Sequence, residues 1–120
     1  MTPTERDALI GKALEYAGGS HTVQDVVDAA KRGEFEIWEG RESIVVTQVV
    51  QNPRCKEAVA FLAAGDLEEI ARMYPTLEEW ARSIGCTRVS CHGRRGWERT
   101  FLTREAGWRA GLTIFEKELT

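Results

Sequence analysis

The sequence predicts one α+β domain, with helices on both faces of a mixed, largely antiparallel central sheet of five or six strands. The order of elements supports this class: two helices, three strands that form a meander, and then helices alternating with strands. A length of 120 residues is that of one ordinary domain, and 42% hydrophobic with 29% charged residues is typical of globular proteins. We therefore expect one cooperative unit over residues 1–120.

Two amphipathic helices open the chain. Pro3 is a start signal because proline at the first helical position loses no hydrogen bond, and apolar residues then recur at spacings of three and four. Gly18 and Gly19 supply the left-handed geometry that ends the first helix. Thr22 caps the second helix and Gly33 ends it, so both helices are predicted before residue 34.

A change to a period of two marks the beginning of the sheet. Apolar and acidic residues alternate from residue 34, which predicts a strand with one solvated face, and Gly40 marks a hairpin turn. Residues 44–50 are rich in β-branched side chains and form the second predicted strand. The third, about 58–64, is apolar at nearly every position, so we expect both of its faces to be covered and the strand to be central.

Helices and strands alternate in the C-terminal half. Asp66 with Glu69 resembles a capping box, and a second such box follows Pro75, which predicts two short helices or one kinked helix over 67–84. The remaining predicted elements are a strand over 86–91, a helix over 97–106 and a last strand over 112–115.

Charge and hydropathy argue against nucleic-acid and membrane partners. A net charge of −3 offers no general attraction to polyanions, and no apolar run approaches the ~20 residues that span a bilayer. The polar N-terminus lacks the apolar stretch of a signal peptide, so we expect the cytoplasm. Three cysteines without a framework spacing predict reduced thiols.

Cys86, Cys91 and His92 are the candidates for a metal or nucleophilic site. A strand would direct the two cysteines to opposite faces, and no fourth ligand stands at a recognisable spacing, so we predict no metal site. His92 or nearby arginines could activate a Cys91 thiolate. Adjacent strand residues face apart, however, which favours a buried Cys91 with His92 in a turn.

A local basic surface marks the C-terminal third. Arg94, Arg95 and Arg99 precede and open a predicted helix, where guanidinium and backbone N–H donors suit a phosphate, a carboxylate or an acidic partner. Bonds to carbonyls, or to acidic residues of the N-terminal half, are the alternative. Trp97 and Trp108 lie near element ends, where aromatics pack into the core or anchor a partner. No aromatic platform interleaves the arginines, which argues against nucleic acid.

Several segments resemble a known family. In the C-terminal half they read Trp80-Ala81-Arg82-Ser83-Ile84-Gly85-Cys86, Gly93-Arg94-Arg95-Gly96-Trp97 and Gly107-Trp108. With residues 33–38 and 47–50, they resemble a group of small bacteriophage and prophage proteins that have the GNAT acetyltransferase-like fold. The resemblance covers roughly residues 20–118 and implies that fold for this chain.

The resemblance also implies a place for a cofactor. In active members of the superfamily, the strand before the central helix splays from its neighbour and presents backbone groups to the pantetheine arm of acetyl-CoA. A glycine-rich turn then holds the pyrophosphate at the helix N-terminus, where the helix dipole favours an anion. The corresponding residues of this chain are Leu62, Ala63, Ala64 and Gly65.

Two departures from the family pattern bear on activity. The turn contains one glycine, and the carboxylates of Asp66, Glu68 and Glu69 stand where phosphates would lie. The usual general-acid tyrosine shortly before Gly107 is replaced by Thr103 or a neighbour. Both departures favour a protein without catalytic activity.

We therefore predict a phage or prophage protein with a degenerate acyl-CoA site that serves as a binding or virion-assembly module. Its virion or host protein partner would be bound through Arg94, Arg95, Trp97 and Trp108. The alternative is an active N-acetyltransferase that uses acetyl-CoA on an unknown amine, with no catalytic residue assigned. The gap between the third and fourth strands discriminates, because an open cleft favours the enzyme and a closed ladder favours the module.

Overall fold

The computed structural model describes residues 1–93, 107–111 and 114–119. The predicted helix at 97–106 and the first two residues of the predicted last strand lie outside these ranges. Ile114 and Phe115, within them, are exposed and form no strand, so the described sheet has four strands rather than five or six. The elements are α1 (Pro3–Leu14), α2 (Val23–Lys31), β1 (Phe35–Glu39), β2 (Ser43–Gln51), β3 (Lys56–Gly65), α3 (Leu67–Ser83) and β4 (Arg88–Cys91).

The four strands form one mixed sheet in the order β1-β2-β3-β4. The first three pair antiparallel as a meander, and β4 pairs parallel to β3. This confirms the prediction of a mixed, largely antiparallel sheet. The nearly all-apolar β3 lies between β2 and β4, as its composition predicted.

Helices α1 and α2 cover one face of the sheet. Ile10 of α1 and Val26 of α2 are fully buried and pack against Ile44, Val46 and Leu62 of the sheet. The polar cap Thr22 begins α2 as predicted, because its hydroxyl accepts the Asp25 N–H at 3.1 Å. Burial of these aliphatic side chains supplies the main stabilisation on this side.

Helix α3 covers the opposite face, which confirms helices on both sides. Ile70 and Leu77 pack against Val45, and Ala81 packs against Ala58 of β3. Of the two alternatives for 67–84, a single helix is present, and it runs through Pro75. Since β3 contributes to the clusters on both faces, the expectation that both its faces are covered is confirmed.

The predicted beginning of the fourth strand was wrong by two residues. Cys86 lies before β4, and its N–H donates to the Ala81 carbonyl at 2.9 Å, so this residue closes the C-terminus of α3. Cys86 is buried there, and the three cysteines are free thiols. Among the helices of the described ranges, none is long and apolar enough to cross a bilayer.

Candidate functional site

Strands β3 and β4 pair over four positions, up to the end of β4. The pairs run from Glu57 with Arg88 to Ala60 with Cys91, and the His92 N–H donates to the Ala60 carbonyl at 3.1 Å. Strand β3 continues to Gly65 and pairs with β2, with a register shift between Val46 and Thr47 that leaves Phe61 without a β2 partner. No described strand pairs with residues 61–65 on the other side, and we call this side of β3 the cleft.

The backbone of β3 faces this cleft at Ala63. Within the β1–β2 turn, the Ser43 carbonyl accepts a hydrogen bond at 2.8 Å, so Ser43 is directed towards β1. Successive residues of an antiparallel strand direct their backbone groups to opposite sides, so Ile44 faces β3 and its partner Ala64 faces β2. The N–H and C=O groups of Ala63 are consequently directed into the cleft.

The residues that the resemblance assigned to acyl-CoA have different surroundings. The Leu62 side chain is 4% exposed and packs in the cluster below α1 and α2. Ala64 contacts that same cluster, whereas Ala63 contacts the cluster below α3. These side chains belong to the core, so a ligand in the cleft would meet the backbone.

Gly65 is required by a close contact between backbone segments. Its φ is +114°, and a Cβ atom would lie 2.1 Å from the Glu42 carbonyl oxygen and 2.6 Å from the Ser43 Cα. Two hydrogen bonds beside it join Ser43 to Asp66: the Asp66 N–H donates to the Ser43 hydroxyl at 3.0 Å, and that hydroxyl lies 3.2 Å from the Asp66 carbonyl. The absence of a side chain at Gly65 therefore allows the end of β3 to lie against the β1–β2 turn.

Glu69 stabilises the same turn instead of completing a capping box. Its buried carboxylate accepts the N–H groups of Arg41 at 2.8 Å and Glu42 at 3.0 Å. Asp66 does cap α3, since it accepts the Glu68 N–H at 3.0 Å, so only half of the predicted box is correct. The physical reason is that the turn offers Glu69 two N–H donors, whereas a capping box offers one. Two hydrogen bonds stabilise a carboxylate more than one does. This carboxylate is thus bound to the turn rather than free where phosphates were expected.

The hydrogen bonds to Glu69 predict a pH-dependent contribution to stability. The Ser43 hydroxyl and the amides of Glu42 and Arg41 lower the pKa of Glu69 below its ordinary value of 4.5. A carboxyl group with a lowered pKa in the folded state stabilises the fold above that ordinary value, and the contribution is lost as pH falls through the folded pKa. Wild type is expected to have a higher Tm than Glu69→Gln at pH 7, with the difference shrinking below about pH 4.5.

Thermal unfolding of both proteins at several pH values from 7 to 3 measures this difference. Glu68→Gln is the matched control, because Glu68 occupies the same first turn of α3 with an exposed side chain. A Tm difference for Glu69→Gln that does not change with pH would contradict the assignment.

An apolar cavity of about 50 Å³ adjoins the cleft, between the sheet and α3. Its walls from the strands and from α3 are residues Val45, Ala58, Ala60, Ala63, Val89, Ser90, Cys91, Ile70, Met73 and Leu77. Three alanines of β3 stand on the wall that α3 faces, and their small size leaves this space open. Spacing along the chain does not report which side chains meet across elements, so the cavity is not visible in the sequence.

Tyr74 and Trp108 close one side of this cavity. Their rings meet edge to face with centroids 5.8 Å apart. Burial raises the pKa of Tyr74 above its ordinary 10.0, with the Glu78 carboxylate adding to the rise, so the phenol is protonated at neutral pH. The family pattern predicted a tyrosine shortly before Gly107 in the chain; the fold instead brings Tyr74 of α3 beside Trp108.

The Cys91 thiol faces the same cavity. Burial raises the pKa of Cys91 above its ordinary 9.0, which keeps the thiol protonated at neutral pH. His92 is exposed. These surroundings fit a buried thiol rather than a nucleophile activated by His92. In the ranges that the structure describes, no group of three or more His, Cys, Asp or Glu side chains is placed to hold a metal ion.

The predicted anion or partner surface falls almost wholly beyond the described residues. Arg94, Arg95, Trp97 and Arg99 lie outside the described ranges. Trp108 lies within them, and its ring belongs to the cavity wall. The partner prediction therefore stays a prediction.

Comparisons with known proteins were made on sequence and on structure. No family model and no curated protein matches the chain. A tetramutant of a Bacillus halodurans protein matches with a TM-score of 0.67 at 15% identity, over 97% of this chain and 93% of its own. An acetyltransferase of Trypanosoma brucei matches with a TM-score of 0.65 at 14% identity, over 97% and 92% respectively.

A third match is an enzyme whose name states its substrate. Glucosamine-6-phosphate N-acetyltransferase of Arabidopsis thaliana has a TM-score of 0.61 at 12% identity, over 100% of this chain and 95% of its own. Identities this low show the fold alone. The chain therefore has the GNAT acetyltransferase-like fold that its C-terminal segments indicated.

Proposed function

We propose that the protein is an acyl-CoA-dependent N-acyltransferase. The end of the β3–β4 pairing at Ala60 carries this proposal, because it leaves residues 61–65 of β3 without a strand partner among the described residues. Two proteins of similar fold are named acetyltransferases, which supports a ligand of the acyl-CoA class. An open cleft at this place is the arrangement that favours the enzyme over the module.

The cleft offers the groups that a thioester needs. An open strand edge can pair with the amide groups of a pantetheine arm, as a strand pairs with an extended peptide. The Ala63 N–H faces the cleft, where a donor stabilises negative charge that develops on a carbonyl oxygen. Both contributions come from backbone, so the core positions of the neighbouring side chains do not oppose them.

The reaction transfers an acyl group from sulfur to nitrogen. The acceptor amine attacks the thioester carbonyl carbon, a C–N bond forms, and the C–S bond breaks with its electron pair on sulfur. The amine releases one proton to solvent water, and the CoA thiolate gains one from a protein donor that is then reprotonated by water. We assign the proton donor to Tyr74, in place of the tyrosine expected near Gly107, because its phenol is protonated at neutral pH and lies at the cavity beside the cleft.

One observation favours the second candidate, a non-catalytic phage or virion-assembly module in the host cytoplasm or the virion. The Asp66 carboxylate occupies the first turn of α3 and accepts the Glu68 N–H, which a pyrophosphate would otherwise approach. Exposed Glu68 adds a second negative charge there. A module of this kind would bind no acyl-CoA.

Calorimetric titration of the protein with acetyl-CoA separates the two candidates. The enzyme is expected to bind with a Kd of about micromolar magnitude, and Ala63→Pro is expected to weaken binding about tenfold because it removes the N–H directed into the cleft. Among the described residues no strand pairs with the Ala63 N–H, and proline is tolerated at such a position, so the β2 pairing is expected to survive. Ala63→Ser keeps the N–H and is the matched control.

A thermal melt of each variant shows that it is folded. Release of free thiol with a panel of primary amines then tests Tyr74, since Tyr74→Phe is expected to lower kcat about 100-fold with little change in acetyl-CoA affinity. Absence of acetyl-CoA binding would reject the enzyme and leave the module. Equal binding by Ala63→Pro and Ala63→Ser would reject the role of the cleft backbone.

A further inference from the structure

We infer that the apolar cavity between β3, β4 and α3 is a pocket for a short acyl chain, so the acyl donor carries more carbons than acetyl. This inference rests on the proposed function and adds the class of acyl group to it. Ala60 and Ala63 both line the cavity, and they lie on either side of the point where the β3–β4 pairing ends. Ala60 is the last β3 residue paired with β4, and Ala63 belongs to the cleft. A thioester held in the cleft would therefore have the cavity next to its acyl end.

The volume of the cavity sets the length of the chain. A volume of about 50 Å³ exceeds the space that one water molecule needs, so the cavity admits a short chain of a few carbons. A butanoyl chain has four carbons, two more than acetyl.

The lining determines the chemical character of the occupant. Aliphatic side chains and the alanines of β3 form most of the wall, so water gains few hydrogen bonds there and an apolar chain is favoured. Met73 of α3 closes the wall opposite Ala60 and can adjust to different chains, because methionine has three rotatable bonds.

One polar group in the wall indicates an acyl group rather than a plain hydrocarbon. The Trp108 indole Nε1 is buried and makes no hydrogen bond with the described residues. The indole acts on the Tyr74 phenol as a weak hydrogen-bond donor and lowers its pKa, but the contact is looser than a formed hydrogen bond. A buried donor with so poor a partner is unfavourable, and a carbonyl oxygen at the head of an apolar chain would supply a better acceptor.

Titration of the full chain with CoA, acetyl-CoA, butanoyl-CoA and octanoyl-CoA tests the pocket. Butanoyl-CoA is expected to bind about tenfold more tightly than acetyl-CoA, because two more methylene groups leave water. Octanoyl-CoA is expected to bind no more tightly than butanoyl-CoA. Equal affinity for acetyl-CoA and butanoyl-CoA would overturn the acyl pocket and leave the proposed function standing. Absence of binding by every CoA derivative would overturn both.

Three variants change the pocket in different ways. Ala60→Val fills it, so the ratio of butanoyl-CoA to acetyl-CoA affinity is expected to fall to about one. Met73→Ala enlarges it, so the preferred chain is expected to lengthen to hexanoyl, which keeps the test decisive if Ala60→Val does not fold. Trp108→Phe removes the N–H and keeps an aromatic ring, and is expected to weaken binding of butanoyl-CoA about fivefold relative to CoA. Ratios that stay at wild-type values in all three would overturn the inference.

Discussion

Replacing Gly65 with alanine is expected to lower the free energy of unfolding by about 4 kcal/mol. About 2 kcal/mol comes from backbone strain, because φ is +114° and a residue with a Cβ rarely adopts that conformation. About 2 kcal/mol more comes from overlap, since the new Cβ would lie 2.1 Å from the Glu42 carbonyl oxygen, a backbone atom that cannot turn aside. Urea denaturation followed by circular dichroism measures the change.

Gly85→Ala is the matched control for Gly65→Ala. Gly85 also has a positive φ, of +87°, but no atom lies within 4 Å of a Cβ placed there. Its substitution is therefore expected to cost about 1 to 2 kcal/mol, from the left-handed conformation alone. Equal losses at the two glycines would show that the close approach of β3 to the β1–β2 turn is not what requires Gly65.

Leu62→Ala is expected to lower the free energy of unfolding by about 3 kcal/mol. The side chain is 4% exposed and packs with Ile10 and Val46, so its removal leaves a cavity in the cluster below α1 and α2. A ligand in the cleft would meet the backbone of β3, so the folded variant is expected to bind acetyl-CoA nearly as wild type does. Urea denaturation and calorimetric titration measure the two properties separately.

Leu67→Ala provides the comparison for Leu62→Ala. Leu67 begins α3 and is 38% exposed, so the same change is expected to cost about 0.5 kcal/mol. Loss of acetyl-CoA affinity in a folded Leu62→Ala protein would show that the leucine side chain, and not only the backbone, contacts the ligand.

Local signals predicted the helix beginnings well. The Thr2 hydroxyl accepts the Glu5 N–H at 3.1 Å before Pro3, and Thr22 and Asp25 form a complete capping box at α2. These interactions join residues three apart, so they are visible in the sequence. Glu69 shows the limit of such signals: it has the same spacing from Asp66, yet its partners are the amides of a turn 27 and 28 residues away.

The same distinction applies to the candidate site. A resemblance in sequence pointed to Leu62 through Gly65, and these residues lie in the part of β3 that no described strand joins on the side away from β2. The cavity, by contrast, combines three β3 alanines with Tyr74 of α3 and with Trp108, which follow no common spacing. Tyr74 therefore had no visible relation to Gly107 until the fold brought the two segments together.

The sequence by itself determined the class of the domain, the order of its described helices and strands, and the central, doubly covered position of β3. Periodicity carries that information because it reports which side of a segment avoids water. Only the tertiary structure decided where the β3–β4 pairing ends, which turn Glu69 stabilises, and which residues line the cavity beside the cleft. Those features depend on contacts between distant segments, and a pattern of burial does not say which segment provides the cover.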